Sequence, residues 1–158
     1  MTEAEKRMRR VCFTGHRPEK LTRFEWLVKR ELKKKIRQAI ADGFEVFITG
    51  MARGTDIWAA EIVLKLRRSG KPVKLMCASP YEGFEKCWSQ SRQRRCNEIM
   101  AAADHKIFIC RGYSRACFQI RNEWMVNHSS RVIAVFNGKK SGTKKPMYLW
   151  WLFKANCI

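Results

Sequence analysis

Two glycine-containing segments carry the residue types best suited to binding an anion, and each directly follows a short apolar run. The first contains Gly15, His16 and Arg17, and the second spans residues 50–56. Glycine lets backbone N–H groups approach a ligand closely, and arginine holds a phosphate or carboxylate with two parallel hydrogen bonds. Directly after a buried strand, this combination predicts a phosphate-binding loop of an α/β protein.

The second segment opens a predicted helix, so the first helical N–H groups would point toward the ligand. Asp56 has several roles open to it: it can cap the helix, hold a ribose hydroxyl, or fix Arg17 or Arg53. A tight turn and a plain helix cap are the structural alternatives for the two segments. The candidate ligand-binding residues of this segment are Gly50, Met51, Ala52, Arg53, Gly54 and Asp56.

Two further places along the chain offer anion-binding groups. Gly142 and Thr143 follow the last predicted strand, and Gly-Thr at a helix start is an anion-binding arrangement. Arg121 lies inside a predicted helix. It reaches the same cleft if that helix leans over the sheet edge, and is a solvent-exposed arginine otherwise.

Apolar runs bounded by turn residues alternate with helical periodicity along the chain. The strands are apolar on both faces, as parallel strands covered by helices on both sides must be. The sequence therefore predicts a single-domain, Rossmann-like α/β fold: a doubly wound, mostly parallel sheet of five or more strands with helices on both faces. Predicted strands cover residues 11–15, 46–49, 73–77, 106–110 and 132–136, and predicted helices cover 23–42, 56–68, 84–103, 117–127 and 147–153. A basic leader, residues 1–10, precedes the domain of residues 11–158.

The net charge is +19, from 33 basic and 14 acidic residues. Such a balance attracts polyanions, nucleic acid among them, although a solvated face that keeps the protein in solution is the alternative.

No stretch approaches the roughly 20 apolar residues that span a membrane. No apolar signal region follows the charged N-terminus either, so the sequence predicts a cytoplasmic protein. The seven cysteines show no CxxC pair or zinc-finger spacing, which predicts reduced thiols and no metal site.

The tail at residues 147–153, MYLWWLF, is apolar almost all round. A helix of that kind is buried or lies in an interface. Packing within the chain and a homodimer interface are the two alternatives.

Taken together, five segments in order resemble one family: TGHRP, GMARGTDIWAAE, the arginine-rich QRR, RNEWMV, and AVFNG with SGT. The chain is similar to the YpsA-like branch of the SLOG superfamily, which also includes the DNA-processing protein DprA and the LOG cytokinin-activating enzymes. The resemblance runs from about residue 11 to about residue 150 and implies a Rossmann-like fold that binds a nucleotide or nucleotide-derived molecule. No cofactor beyond such a ligand is implied. The positions that match the family's pocket, its loop after the last strand and its helical arginines are Gly15, Arg17, Gly50, Gly54, Asp56, Gly142, Thr143, Arg94 and Arg121. Asn137 and Gly138, in the AVFNG segment, are further candidate ligand-binding residues, although they lack the Pro-Gly-Gly pattern of the LOG enzymes.

One departure from the superfamily bears on catalysis. LOG hydrolases carry a PGGxGTxxE motif, and its glutamate position falls at Pro146 in this chain. Cleavage of an N-glycosidic bond needs a carboxylate near the reacting carbon, for which Glu123 or Asp56 would have to substitute. The resemblance therefore favours a sensor or regulatory domain. A nucleotide phosphoribohydrolase or transferase, and DprA-like nucleic-acid binding through the basic surface, are the alternatives.

Overall fold

The computed structural model describes residues 1–15, 18 and 24–135, and the backbone of residues 155–157. This part of the chain alternates strands and helices. The strands are β1 (Arg10–Gly15), β2 (Val46–Thr49), β3 (Lys74–Ser79), β4 (His105–Phe108), β5 (Arg131–Val135) and β6 (Ala155–Cys157). The helices are α1 (Glu3–Met8), α2 (Glu25–Ala41), α3 (Thr55–Arg68), α4 (Gln90–Ala102) and α5 (Cys117–Asn127).

The helix α2 shows why these segments fold as they do. Val28, Leu32, Ile36 and Ala39 recur at helical spacing, and all four are buried. Their stripe faces the sheet, while the lysines and arginines between them face outward. The helix ends before Gly43, which adopts φ +94°, a conformation that glycine reaches without steric cost.

The described strands form one sheet in the order β4-β3-β2-β1-β5-β6, and every neighbouring pair is parallel. The chain runs outward from β1 to β4 and then returns to β5, on the other side of β1. Right-handed crossovers then place α2, α3 and α4 on one face and α5 on the other.

Two clusters of buried side chains confirm this layering. The larger cluster joins Phe13 and Phe47 on the sheet to residues of α2, α3 and α4. The smaller cluster joins Cys12 and Ile48, which point to the opposite face, to Met125 of α5. The predicted Rossmann-like, doubly wound fold with helices on both faces is therefore confirmed.

Three elements differ from the sequence prediction. The leader contains helix α1, whose capping box is formed by Thr2 and Glu5. The predicted helix over 84–103 is instead a 3₁₀ turn, Phe84–Cys87, followed by α4. The chain is extended between them at Trp88, whose ring packs edge-on against Phe84 with ring centres 5.5 Å apart. Strand β6 was not predicted.

The predicted final helix over 147–153 lies outside the described residues, as does a homodimer contact through it. Within the described part of the chain, no helix is both long enough and apolar enough to cross a membrane.

Candidate functional site

The carboxyl ends of β1 and β5 lie side by side, because Gly15 and Val135 are register partners. This is also where the direction of strand order reverses. In open parallel sheets, ligands bind at such a switch point, just outside the carboxyl ends of the strands. The fold therefore places the candidate site at the edge where β1, β2 and β5 end.

Six residues predicted to bind the ligand belong to the two segments that leave β1 and β5 at this edge. They lie outside the described residues, as does Pro146, and their roles stay predictions. The six are His16, Arg17, Asn137, Gly138, Gly142 and Thr143.

The loop between β2 and α3, residues 50–54, is fixed at both ends by Thr49. The Thr49 hydroxyl donates to the backbone carbonyl of Asp56 at 2.9 Å and accepts the N–H of Met51 at 3.3 Å. Met51 is fully buried and adopts φ +60°. A non-glycine residue holds that conformation only where its surroundings enforce it, and such positions cluster at binding sites.

The Asp56 side chain folds this loop back onto the start of α3. Its carboxylate is buried and accepts the N–H of Ala52 at 3.2 Å, and the N–H of Gly50 also bonds to it. These bonds go to the loop before the helix rather than to the helix itself. Asp56 therefore shapes the loop, a role that the sequence analysis did not include.

Arg121 of α5 reaches the same loop from the other face of the sheet. Its side chain is buried, and its Nη1 donates to the carbonyl of Gly50 at 2.6 Å. A Cβ on Gly50 would lie 2.9 Å from both Arg121 and the Asp56 carboxylate, so glycine is what permits this approach. Arg121 thus positions the loop, rather than being exposed to solvent.

Burial shifts the pKa values of both Asp56 and Arg121. Loss of solvation raises the pKa of Asp56 to about 6, although the charge of Arg121 and the two backbone N–H groups oppose the shift. Burial also lowers the pKa of Arg121. Loop geometry is therefore linked to a carboxyl group that titrates near neutral pH.

The raised pKa of Asp56 gives a pH prediction. In the unfolded chain an aspartate titrates near pH 3.9, so between that value and about 6 the folded protein binds more protons. The stability that Asp56 contributes is fully present below pH ~4 and is lost as the pH rises through about 6. We expect the free energy of unfolding, measured by urea denaturation, to fall less steeply over this window in Asp56→Asn than in the wild type. Parallel curves would contradict the assignment.

The Thr55 hydroxyl is buried at the first residue of α3 and has no hydrogen-bond partner among the described residues. It lies against the end of β1: a Cβ on Gly15 would be 2.2 Å from its Oγ1. An unpaired buried hydroxyl costs about 1–3 kcal/mol. A ligand that supplies an acceptor here would remove that cost.

The start of α3 also lacks a side-chain cap. Its N-cap residue is Gly54, which has φ +89° and no side chain that could accept a hydrogen bond from the first helical turn. The first helical bond within the described residues runs from the N–H of Trp58 to Gly54 at 3.0 Å. The earlier N–H groups and the positive end of the helix dipole therefore remain suited to an anion.

The two remaining arginine candidates differ in position. Arg53 is half-buried within the loop itself. Arg94 is exposed on α4, and no contact among the described residues joins it to the β2–α3 loop. Its proposed role therefore still rests on the family resemblance.

The sequence analysis overlooked the hydroxyl groups of the site. Thr49 and Thr55 anchor or face the loop, and Ser79 at the end of β3 has a second buried hydroxyl without a partner in the described structure. The available signal was a threonine or serine at the ends of β2 and β3 and at the first residue of α3.

The two carboxylates named as substitutes for the missing glutamate, Asp56 and Glu123, both contact other groups of the protein. Asp56 holds the loop through its bonds to the loop backbone. Glu123 of α5 lies within 3.4 Å of the Gln119 side-chain amide, one helical turn away. Neither arrangement marks a carboxylate aimed at a reacting carbon.

Fold and loop together define a Rossmann-like α/β protein whose β2–α3 loop lies at the carboxyl edge of the sheet. The YpsA family model, described as the YspA SLOG family, matches residues 11–153. The chain belongs to this family, and the resemblance read from the sequence is confirmed.

Relatives and solved structures agree with that placement. The UPF0398 protein of Bacillus thuringiensis (strain Al Hakam) is 27% identical over 146 residues, which cover 87% of this chain and 79% of that protein. The UPF0398 protein BCG9842_B3730 of Bacillus cereus (strain G9842) gives the same values. The structure of DNA processing protein A from Helicobacter pylori, described for its single-stranded DNA binding mode, shares the fold with a TM-score of 0.55 at 20% identity. That match covers 87% of this chain but 58% of the Helicobacter chain.

Proposed function

We propose that this protein binds a small phosphate-bearing molecule, a nucleotide or nucleotide derivative, at the carboxyl edge of the sheet. The phosphate lies at the first turn of α3, on the side that faces out from the carboxyl edge of the sheet. The rest of the ligand extends toward β5, where the second predicted loop leaves the sheet. The role is one of sensing or regulation.

The observation that carries this proposal is the unpartnered Thr55 hydroxyl at an uncapped helix start. Helix N–H groups and a buried hydroxyl supply donors for an anion at this edge of the sheet. Gly15 lets the Thr55 hydroxyl lie against the end of β1, and Gly50 lets Arg121 and Asp56 approach the loop. The ligand of the Helicobacter neighbour, single-stranded DNA, is also phosphate-bearing, which agrees with an anion site on this fold.

Replacing Thr55 with valine tests the proposal directly. Valine keeps the shape and removes a hydroxyl that has no partner in the ligand-free protein. We therefore expect the ligand-free melting temperature to stay the same or rise slightly. The ligand panel is AMP, ADP, ADP-ribose, NAD and pyrophosphate. For whichever of these binds the wild type, we expect the affinity to fall about tenfold, because one hydrogen bond to a charged group contributes about that factor.

Thermal melting of the wild type identifies the ligand. A molecule at 100 times its dissociation constant adds about 2.7 kcal/mol and raises the melting temperature of a domain of this size by roughly 5–11 °C. The shift should persist at high salt, because a buried site is screened less than a surface one.

The matched control is Ser129→Ala. Ser129 has a buried hydroxyl without a partner in the described structure, like that of Thr55, but it lies two residues before β5 at the amino edge of the sheet. Its loss should leave ligand binding unchanged. No melting shift with any member of the panel, or equal weakening in both variants, would overturn the site. Release of free base from AMP by the wild type, lost in Thr55→Val, would turn the assignment from sensor to hydrolase.

A further inference from the structure

A line of cations on α2 starts from an exposed tryptophan. Trp26, Arg30, Lys33 and Arg37 follow one another at spacings of four, three and four residues, which places them on one face of the helix. At 1.5 Å per residue the line is roughly 16 Å long. The positive charge of α2 is therefore arranged as a track.

This track borders a groove between α2 and α3 with a volume of about 490 Å³. Ile62 and Leu66 supply apolar surface to the groove, and Lys65 adds a cation from the α3 side. The groove lies on the outer surface of the helical layer, away from the loop that joins β2 to α3. The described residues that line it are Trp26, Lys29, Arg30, Lys33, Arg37, Ile62, Lys65, Leu66 and Ser69.

Acidic side chains leave most of this charge unneutralised. Among the described residues, Lys29 pairs with Glu25 at 2.8 Å, whereas Arg30, Lys33, Arg37 and Lys65 have no carboxylate within 4.0 Å. Cations that lack partners in the folded protein are available to an incoming polyanion.

Exposed aromatic side chains lie at the N-terminal end of the track. The Trp26 ring is 60% exposed, and the Arg30 guanidinium lies 5.7 Å from its centre. Phe24, two residues earlier, is 71% exposed. Exposed rings beside cations are the platform on which bases of single strands stack.

We propose that the α2–α3 groove binds single-stranded nucleic acid, with phosphates along the cations of α2 and a base stacked on Trp26. The linear track and the exposed ring favour this ligand over an acidic polypeptide, which has no flat bases to stack. This surface is separate from the phosphate site at the switch point and does not depend on it.

The test is fluorescence anisotropy of labelled 12-mers of thymidylate and uridylate. The charge reversal Lys33→Glu/Arg37→Glu should weaken binding at least tenfold. It should also reduce the slope of log affinity against log salt by about 1.4, which is 0.7 for each of two lost phosphate contacts. Trp26→Ala should weaken binding roughly tenfold, and Trp26→Phe should retain most of the affinity.

The matched control is Lys71→Glu/Lys74→Glu, which makes the same change in net charge at two exposed lysines beside the amino edge of the sheet. If this control weakens binding as much as the groove variant, only net charge matters and the proposal is overturned. Equal binding of oligoglutamate of matched charge, insensitive to Trp26→Ala, would assign the groove to acidic polypeptides instead. Nucleotide-induced melting shifts should be unchanged in all groove variants, so failure here and failure of the phosphate site are distinguishable.

Discussion

Replacing Arg121 with methionine is expected to lower the free energy of unfolding by about 3–5 kcal/mol. The substitution leaves the Asp56 carboxylate buried without its cationic partner and removes the donor to the Gly50 carbonyl. Methionine keeps most of the side-chain volume, so the loss is electrostatic rather than a packing defect. Urea denaturation of wild type and variant at pH 7.5 measures it.

The pH dependence of this loss separates charge from packing. The Arg121 charge lowers the pKa of Asp56, which burial raises, so removing the arginine raises that pKa further. At pH 5 Asp56 is mostly protonated in both proteins, so the loss should be limited to that of the hydrogen bond to the Gly50 carbonyl. It should grow steadily between pH 6 and pH 8. A loss that is the same at pH 5 and pH 8 would show that Arg121 does not act through the charge of Asp56.

A double-mutant cycle with a substitution of Asp56 measures the coupling between the two side chains. Asp56→Asn alone removes the carboxylate that Arg121 faces, so most of the charge-dependent effect of Arg121→Met should be absent in its background. The double variant Arg121→Met/Asp56→Asn has no buried charge left at this position. It should therefore be more stable than the sum of the single effects allows, by about 1–3 kcal/mol. Additive effects would contradict direct coupling between the two side chains.

The fold was predictable because its signals are local. Apolar runs ending at Gly15 and Thr49 mark buried parallel strands, and the stripe on α2 has an unambiguous helical period. Strand β2 and helix α5 have the bounds that the sequence predicts. Where prediction failed, the deciding contact was specific: the ring of Trp88 against Phe84 accompanies the break between the 3₁₀ turn and α4.

The candidate site was predictable by position but not by role. Glycines at strand ends indicated where a ligand would lie, since only backbone conformation and close approach explain them there. The sequence could not show that Asp56 bonds to the loop backbone and faces Arg121, because Arg121 lies 65 positions further along the chain. It could not single out Thr55 either, since an orphaned hydroxyl is visible only once its neighbours are placed.

These roles divide the site into two layers. Thr49, Asp56 and Arg121 are buried and satisfied by one another or by the loop backbone. Thr55 and the first turn of α3 lie next to them with donors that the described protein does not use. Loss of the first layer should therefore appear as instability, and loss of the second as weakened binding in a stable protein.

Gly54→Ala is expected to destabilise the protein by about 2–4 kcal/mol, through two separate costs. Gly54 adopts φ +89° and ψ −118°, a backbone conformation that residues with a Cβ rarely adopt. A Cβ there would also lie 2.8 Å from Cδ of Pro18, well inside contact distance. Pro18 belongs to the segment after β1, so Gly54 sets how closely that segment approaches the start of α3.

Gly43→Ala isolates the conformational cost, because Gly43 has φ +94° at the end of α2 but a Cβ there would meet nothing within 4 Å. We expect it to cost about 1–2 kcal/mol, and the excess loss in Gly54→Ala then measures the contact with Pro18. Because that contact joins the β1 segment to the helix start, Gly54→Ala should also weaken nucleotide binding, whereas Gly43→Ala should not. Equal destabilisation by the two alanines would mean that the segment after β1 moves aside without cost, and that the close approach of Pro18 does not shape the site.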